Sequence, residues 1–534
     1  MWGGGYSIVT FNECGDYEIP YYISDGNGNH TVELRLVQVC NLNDVVDYNQ
    51  IELNGIDEVM IDRATETFDV MSGVSAEYEL PDGTEKDLSD EVRYILPAQA
   101  NADGNIVTFK ECGDFEIPYY ISDGNGNHTV ALRLVKVRNI YNCYWVNATI
   151  PVLYCALDMV SNDYKSMLVF TRADTLNIDE LDEGRFIYKA NGADVNELDA
   201  SKKYMAHIAS TDKWSYFRAF ICDAFNQIEL FSFVQNGIPT SRYEVKLVSD
   251  GSWTYTKAFP YRDAGSYDKW KENKRIYDGI YNQALKNEFE YVNTISNTKM
   301  YRLTFDGVEV GSHYYNDAQL SQMTIMAAQR DNVEMWCGYP ETLTSADPKV
   351  QAEIDKAHMP KMSPDVMYAD FSEEQKEKFL KICNLVKDTF DTEYFNQEGD
   401  YLIITGTNPF AGSFTDAEFA DILQRIVDDY SGYNILYKPH PSALAPTDNM
   451  PMTKGVLEAN NIKIMPGRLP MEVITWVYPN VRLGGFDSSL FMAIPQGNTE
   501  FFIANGPTSL SVLTKQLYDS GAFGTPKFYW KNNI

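Results

Sequence analysis

Four short stretches of this 534-residue chain hold residues able to move a proton, hold an anion or stack on a sugar. Asp250 stands in the run Val248 to Ser252, directly after a strand-like segment, where a carboxylate can take the proton of a hydroxyl. Asp-Gly is equally the signature of a plain turn. His440, in the run Leu436 to Pro441, leaves what reads as the carboxyl end of a strand, the edge at which open α/β sheets bind ligands. An imidazole there suits general acid work or pairing with a phosphate, because it titrates near neutrality. The competing reading is a histidine satisfied inside a proline-flanked turn. The run Val481 to Ile494 reads as strand, glycine-rich turn and helix, with Ser488 and Ser489 at the helix start. Hydroxyls and N–H groups at such a start suit a phosphate, and serine is also a common cap with no ligand. The fourth stretch, Thr405 to Gly412, follows a buried strand and carries Gly406 and the ring of Phe410, which can stack on a sugar.

These residues need a scaffold that delivers strand ends to a common edge. Apolar periodicity supplies one: Tyr401 to Thr405 reads as a buried strand, Asp416 to Tyr430 as a helix and Asn434 to Lys438 as a second strand. Upstream, Tyr144 to Val152 and Met167 to Thr171 read as strands, with a helical stretch over Asp263 to Val292. Alternating strands and helices give two Rossmann-like α/β halves, residues 141–396 and 397–534, bridged by charged helical sequence such as Ser372 to Lys387. Ahead of them lies a repeat. Ile8 to Val39 returns 98 residues later as Ile106 to Val137, changed only at Asn12/Lys110, Tyr17/Phe115, Glu33/Ala131 and Gln38/Lys136. The period suits an immunoglobulin-like β-sandwich over residues 41–140, leaving residues 1–40 as a truncated repeat that docks on a neighbour or exchanges.

Composition narrows the function classes. Seventy-six acidic residues against 44 basic ones give a net charge of −32, which is wrong for a non-specific nucleic-acid binder, so no nucleic acid is expected. Phosphate is still accessible to local N–H groups and helix starts. The eight cysteines form no C-x-x-C pair or Cys/His cluster, which argues for packed thiols and no metal. The start, Met-Trp-Gly-Gly-Gly, has no basic and apolar signal regions and reads as trimmed, so any membrane-surface association would run through an absent N-terminal region. The repeats Asp25 to Asn29 and Asp123 to Asn127 have calcium-loop spacing over three positions only and read as hairpin turns.

Taken in order, the motifs resemble glycosyltransferase family 80, the bacterial CMP-sialic acid dependent sialyltransferases of the Pasteurella and Photobacterium type. The resemblance runs from about Asn147 to the C-terminus. Ile403 to Gly412 is similar to the family's T-G-T loop, Tyr437 to Pro441 to its Y-F-K-G-H-P, Pro466 to Pro495 to its stretch ending in G-G-x-x-S-S-L, and Asp250 to Ser252 to its D-G-S. Asn147 to Pro151 is similar to the A-S-L-P beside the donor site. The sequence departs at Pro439, at Phe410 in place of tryptophan, and at Ser442-Ala443.

The resemblance implies a GT-B fold, two Rossmann-like domains facing a cleft, and inverting, metal-independent transfer of sialic acid to a galactose-terminated acceptor in α2,3 or α2,6 linkage. No cofactor is implied, CMP-sialic acid being the donor substrate. It makes Asp250 the base and His440 the acid or cation at the departing phosphate. Ser488 and Ser489 hold that phosphate, Glu472 takes the ribose hydroxyls, Lys438 and Pro441 lie along the cytidine, and Gly406 and Thr149 complete the donor site. Phe410 joins Asp250 on the acceptor side, and Arg185 or Arg172 is left for the donor carboxylate. Family members with an immunoglobulin-like domain ahead of the catalytic part match the order here, at the cell envelope or a membrane surface. The rival readings are another CMP-sugar enzyme of the same fold, for Kdo or polysialic acid, and a non-catalytic surface glycan-binding protein.

Overall fold

A computed structural model describes residues 11, 15–24, 30–39, 46–122, 127–146, 148–170, 176–181, 184–191, 195–222, 229–249, 251–256, 258–286, 291–293, 298–305, 308–316, 322–406, 414–440, 450–492 and 496–531. Asp250, Phe410, Pro441 and Arg172 lie outside the described residues, as do the loops at Asp25 to Asn29 and Asp123 to Gly126. The chain divides into two compact units, Met1–Asn139 and Ile140–Ile534.

The first unit is all β among its described residues, apart from one short turn of 3-10 helix at Ser89–Glu91. The two sequence repeats fold alike. Gly15–Ser24 pairs antiparallel with His30–Val39 so that Ser24 faces His30, and Gly113–Ser122 pairs with the next strand so that Ser122 faces His128. In the second hairpin alternate residues Ile117, Tyr119, Ile121, Val135 and Val137 are fully buried, as the two-residue period of a strand requires. The Tyr119 hydroxyl donates to the Val70 carbonyl at 2.6 Å, and the Arg133 guanidinium stacks on its ring at 5.4 Å. This hairpin also pairs with Arg93–Tyr94 and Val59–Asp62, whereas the first hairpin pairs only within itself among the described residues.

The second unit holds two α/β halves. In the first half the strand ending at Val146 is followed through the chain by Lys165–Phe170, Phe186–Asn191, Ser215–Cys222, Tyr243–Val248 and Val333–Trp336. Numbered one to six, they lie in the order three-two-one-four-five-six. The later half repeats that order with Tyr401–Thr405, Asn434–Lys438, Lys463–Ile464, Arg482–Gly485, Thr499–Ile503 and Lys527–Tyr529, every neighbouring pair parallel. Such doubly wound sheets reverse direction between strands one and four and open a crevice at their carboxyl ends. The later sheet is covered on both faces: Leu402, Ile404 and Tyr437 enter one apolar cluster, while Ile403, Leu436 and Leu483 enter the larger cluster shared with the first half.

The first half carries a charged ladder. Asp158, on the helix Thr149–Ser161, accepts from the Tyr144 hydroxyl at 2.6 Å and from Arg218 at 2.9 Å. Arg218 reaches Glu244 at 3.2 Å, and Lys246 on that same strand reaches Glu334 at 2.9 Å. No described helix is long and apolar enough to cross a membrane. The six described cysteines form no disulfide among themselves, and five are buried.

The structure differs from the sequence expectations in three elements. The strand expected over Tyr144 to Val152 ends at Val146, and a helix starts at Thr149. Pro151 sits in the first turn of that helix, where its missing N–H costs nothing. Gly484 and Gly485, expected in a turn, lie inside the strand Arg482–Gly485. They serve packing: a Cβ on Gly484 would lie 2.3 Å from the Phe501 ring, and one on Gly485 would lie 1.8 Å from Thr405 Oγ1. The helix expected to start at the two serines is a 3-10 turn, Ser489–Met492.

Candidate functional site

Strand ends of the later half deliver the site. Thr405 and Gly406 close strand one, Lys438 to His440 close strand two, and Phe486 to Leu490 follow strand four, so the switch point of the sheet forms one wall. Pro470, Met471 and Glu472, at the start of the helix Met471–Val477, form another, and Thr149 enters from the first half. Together these line a cleft of about 370 Å³. Of the eight described residues proposed from sequence, seven, Thr149, Gly406, Lys438, His440, Glu472, Ser488 and Ser489, meet there, and Arg185 does not.

The local chemistry is specific. Lys438 is only 3% exposed and donates to the Gly467 carbonyl at 2.7 Å and the Pro439 carbonyl at 3.0 Å. Burial pushes its ammonium down to about 8, against the pull of the Glu472 carboxylate. Burial likewise raises Glu472 above the usual carboxylate range, opposed by its own backbone hydrogen bond and by Lys438. An acid and a base are thus held, both desolvated, beside a histidine and two serines. Gly406 has a steric reason as well, since a Cβ there would lie 2.3 Å from the Tyr437 hydroxyl. Its N–H donates to the Lys438 carbonyl at 2.9 Å, which ties the loop after strand one to the end of strand two.

On the facing half, Ala148 immediately precedes the helix Thr149–Ser161 with φ 64° and ψ 163°, a conformation glycine tolerates and a side chain does not. The strain sits one residue before Thr149, which lines the cleft. Ser249 and Gly251, the neighbours of Asp250, line a small cavity with Ser489. Gly251 has φ +72°, and a Cβ on it would lie 2.5 Å from Ser489 Cβ. The two halves also meet where the Tyr339 hydroxyl donates to the Met492 carbonyl at 3.0 Å.

Sequence reasoning missed Asp487. Its carboxylate accepts from Thr514 Oγ1 at 2.6 Å and from the N–H of Ser511, which ties the segment that carries Ser488 to the start of the helix Val512–Asp519. A carboxylate one residue before Ser488 was the available signal. Arg185 is spent elsewhere: it precedes strand three and donates to the Tyr164 carbonyl at 3.0 Å and to the Met159 carbonyl, at the opposite end of the sheet from the cleft.

No protein-family model matches the chain, and no curated protein matches it by sequence. Solved structures do match. The α/β-galactoside α-2,3-sialyltransferase of Photobacterium phosphoreum superposes with a TM-score of 0.51 at 12% identity, over 73% of this chain and 98% of that one. A sialyltransferase from Photobacterium damsela gives 0.50 at 14% identity over 84% and 92%. The 2,6-sialyltransferase of Photobacterium sp. JT-ISH-224, in complex with CMP and lactose, gives 0.52 at 14% identity over 89% and 95%. The second unit has the GT-B fold. Within a GT-B fold the cleft described above is the crevice between the two Rossmann-like halves, with most of its lining on the later one.

Proposed function

We propose that the chain is an inverting sialyltransferase that takes CMP-sialic acid as donor and a galactose-terminated glycan as acceptor. The observation that carries this reading is the convergence of Thr149, Gly406, Lys438, His440, Glu472, Ser488 and Ser489 on one cleft at the switch point of a GT-B fold. The likeness to sialyltransferases, one of them holding CMP and lactose, supports it.

In this mechanism Asp250 takes the proton of an acceptor hydroxyl as its oxygen forms the bond to the anomeric carbon. The bond from that carbon to the CMP phosphate oxygen breaks on the opposite face, which inverts the configuration. His440 donates to the departing phosphate, and the Ser488 and Ser489 hydroxyls hold its other oxygens. Lys438 adds positive charge, and the desolvated Glu472 accepts from the ribose hydroxyls, two donors to one carboxylate. Pro441 lies along the cytidine, and Phe410 stacks on the acceptor sugar. These groups together meet the leaving-group charge, so transfer proceeds without a metal.

Incubation with CMP-sialic acid and lactose in the presence of a chelator, followed by mass spectrometry, tests the reading. Sialyllactose is expected, with turnover lowered about 10²- to 10⁴-fold by His440→Ala and abolished by Asp250→Ala. Absence of product with any galactoside, or turnover indifferent to both substitutions, overturns it.

A further inference from the structure

The parallel strands Tyr401–Thr405 and Asn434–Lys438 each join two cavities. Their carboxyl ends, Thr405 and Lys438, line the cleft. Their amino ends, Tyr401 and Asn434, line a second cavity of about 320 Å³. Tyr401 pairs with Asn434 and Thr405 with Lys438, so at ~3.3 Å per residue the two cavities lie roughly 13 Å apart along the strands. Both volumes fall in the range of ~300–1,000 Å³ that holds small ligands.

Their linings differ in kind. No Asp, Glu, Arg or His lines the second cavity among the described residues, and its one cation, Lys463, donates to the Glu393 carbonyl at 2.7 Å. The rest is three tyrosines, five side-chain amides, Ser431 and four aliphatic residues. Tyr401 and Tyr433 are half-buried and line it together with Tyr394. Asn434 commits its amide N–H to the Glu398 carbonyl at 3.0 Å, and its Oδ1 accepts no hydrogen bond among the described residues. The side-chain amides of Gln397 and Asn461 make no hydrogen bond among the described residues, and Asn461 is held at φ 53°.

Ring faces suit the apolar C–H face of a pyranose, and amides can both donate to and accept from its hydroxyls. A phosphate or carboxylate would find little here, because the lone ammonium is already engaged and the chain as a whole carries a charge of −32. We infer that this cavity is a second carbohydrate site, for a neutral sugar unit, at the end of the sheet opposite the donor cleft. Its position keeps it from contributing to the acceptor pose; it holds a glycan while another part of that glycan, or a neighbouring one, reaches the cleft. The use made of the held glycan rests on the transfer reading, whereas binding of a sugar in this cavity does not.

The test is saturation-transfer NMR on the full chain with methyl β-galactoside, methyl β-glucoside and methyl α-mannoside as probes, comparing the native protein with Tyr433→Ala, Asn461→Asp and Glu472→Gln. Asn461→Asp keeps the side-chain shape and a residue type that tolerates positive φ, so it guards against simple unfolding of Tyr433→Ala. At least one glycoside is expected to bind, about tenfold more weakly to both cavity variants and unchanged in Glu472→Gln. No binding by any of the three, or binding that ignores both Tyr433→Ala and Asn461→Asp, overturns the site, whatever the transfer assay reports.

Discussion

Lys438 gives the cleft a pH signature. Burial has lowered its proton affinity to a pKa of about 8, so the unfolded chain keeps that proton to higher pH than the empty fold does. The empty fold therefore gains stability as pH rises from about 8 towards the ordinary lysine value. A bound anion reverses the preference by favouring the charged ammonium. CMP affinity should accordingly fall as pH rises through about 8, above the range in which the phosphate itself titrates. Calorimetric titration at about pH 7 and about pH 9 checks this, with Lys438→Arg expected to flatten the dependence. Ala148 carries the second prediction at this scale. Its φ of 64° and ψ of 163° cost ~1–3 kcal/mol, so Ala148→Gly should raise thermal stability by about 1 kcal/mol once glycine's entropy is set against the relief.

At the scale of elements, Gly251 controls how closely the halves approach. A Cβ there would lie 2.5 Å from Ser489 Cβ, and the positive φ adds strain. Gly251→Ala should lower kcat/KM by pushing residue 251 and Ser489 apart, while circular dichroism shows both halves still folded. Much of the element pattern was legible in the sequence, and unevenly so. The strands Tyr401–Thr405 and Asn434–Lys438 and the helix Asp416–Asp429 stand where apolar periodicity put them, because each is short, bounded by polar residues and faithful to one period. The helix Thr149–Ser161 was read in part as strand because it is buried all round, from Ile150 to Val160, and a continuous apolar run carries no period. The two serines line the cleft, although the helix expected to start at them is a 3-10 turn. Residue type marked them, whereas the close packing of Gly484 and Gly485 depends on Phe501 and Thr405, which sequence order alone does not bring near. Arg185 shows the converse, since its charge suggested a ligand and its burial serves the backbone.

For the whole molecule, every described residue of the cleft belongs to the unit Ile140–Ile534, and the hairpin Gly15–Ser24 with His30–Val39 pairs only within itself among the described residues. Removing residues 1–40 should leave the kcat and KM for lactose transfer within about twofold of the intact chain; a larger loss would show that the first repeat serves the cleft. The charged ladder of the first half bears on how the protein is made. Its last carboxylate, Glu334, follows Lys246 by 88 residues, and the strand Val333–Trp336 that carries it closes one edge of the sheet. At ~5–20 residues per second on the ribosome, the edge of Tyr243–Val248 stays open for roughly 4 to 18 s after it emerges. Throughout that interval the nascent sheet presents an unpaired border to its surroundings, guarded by the exposed ammonium of Lys246.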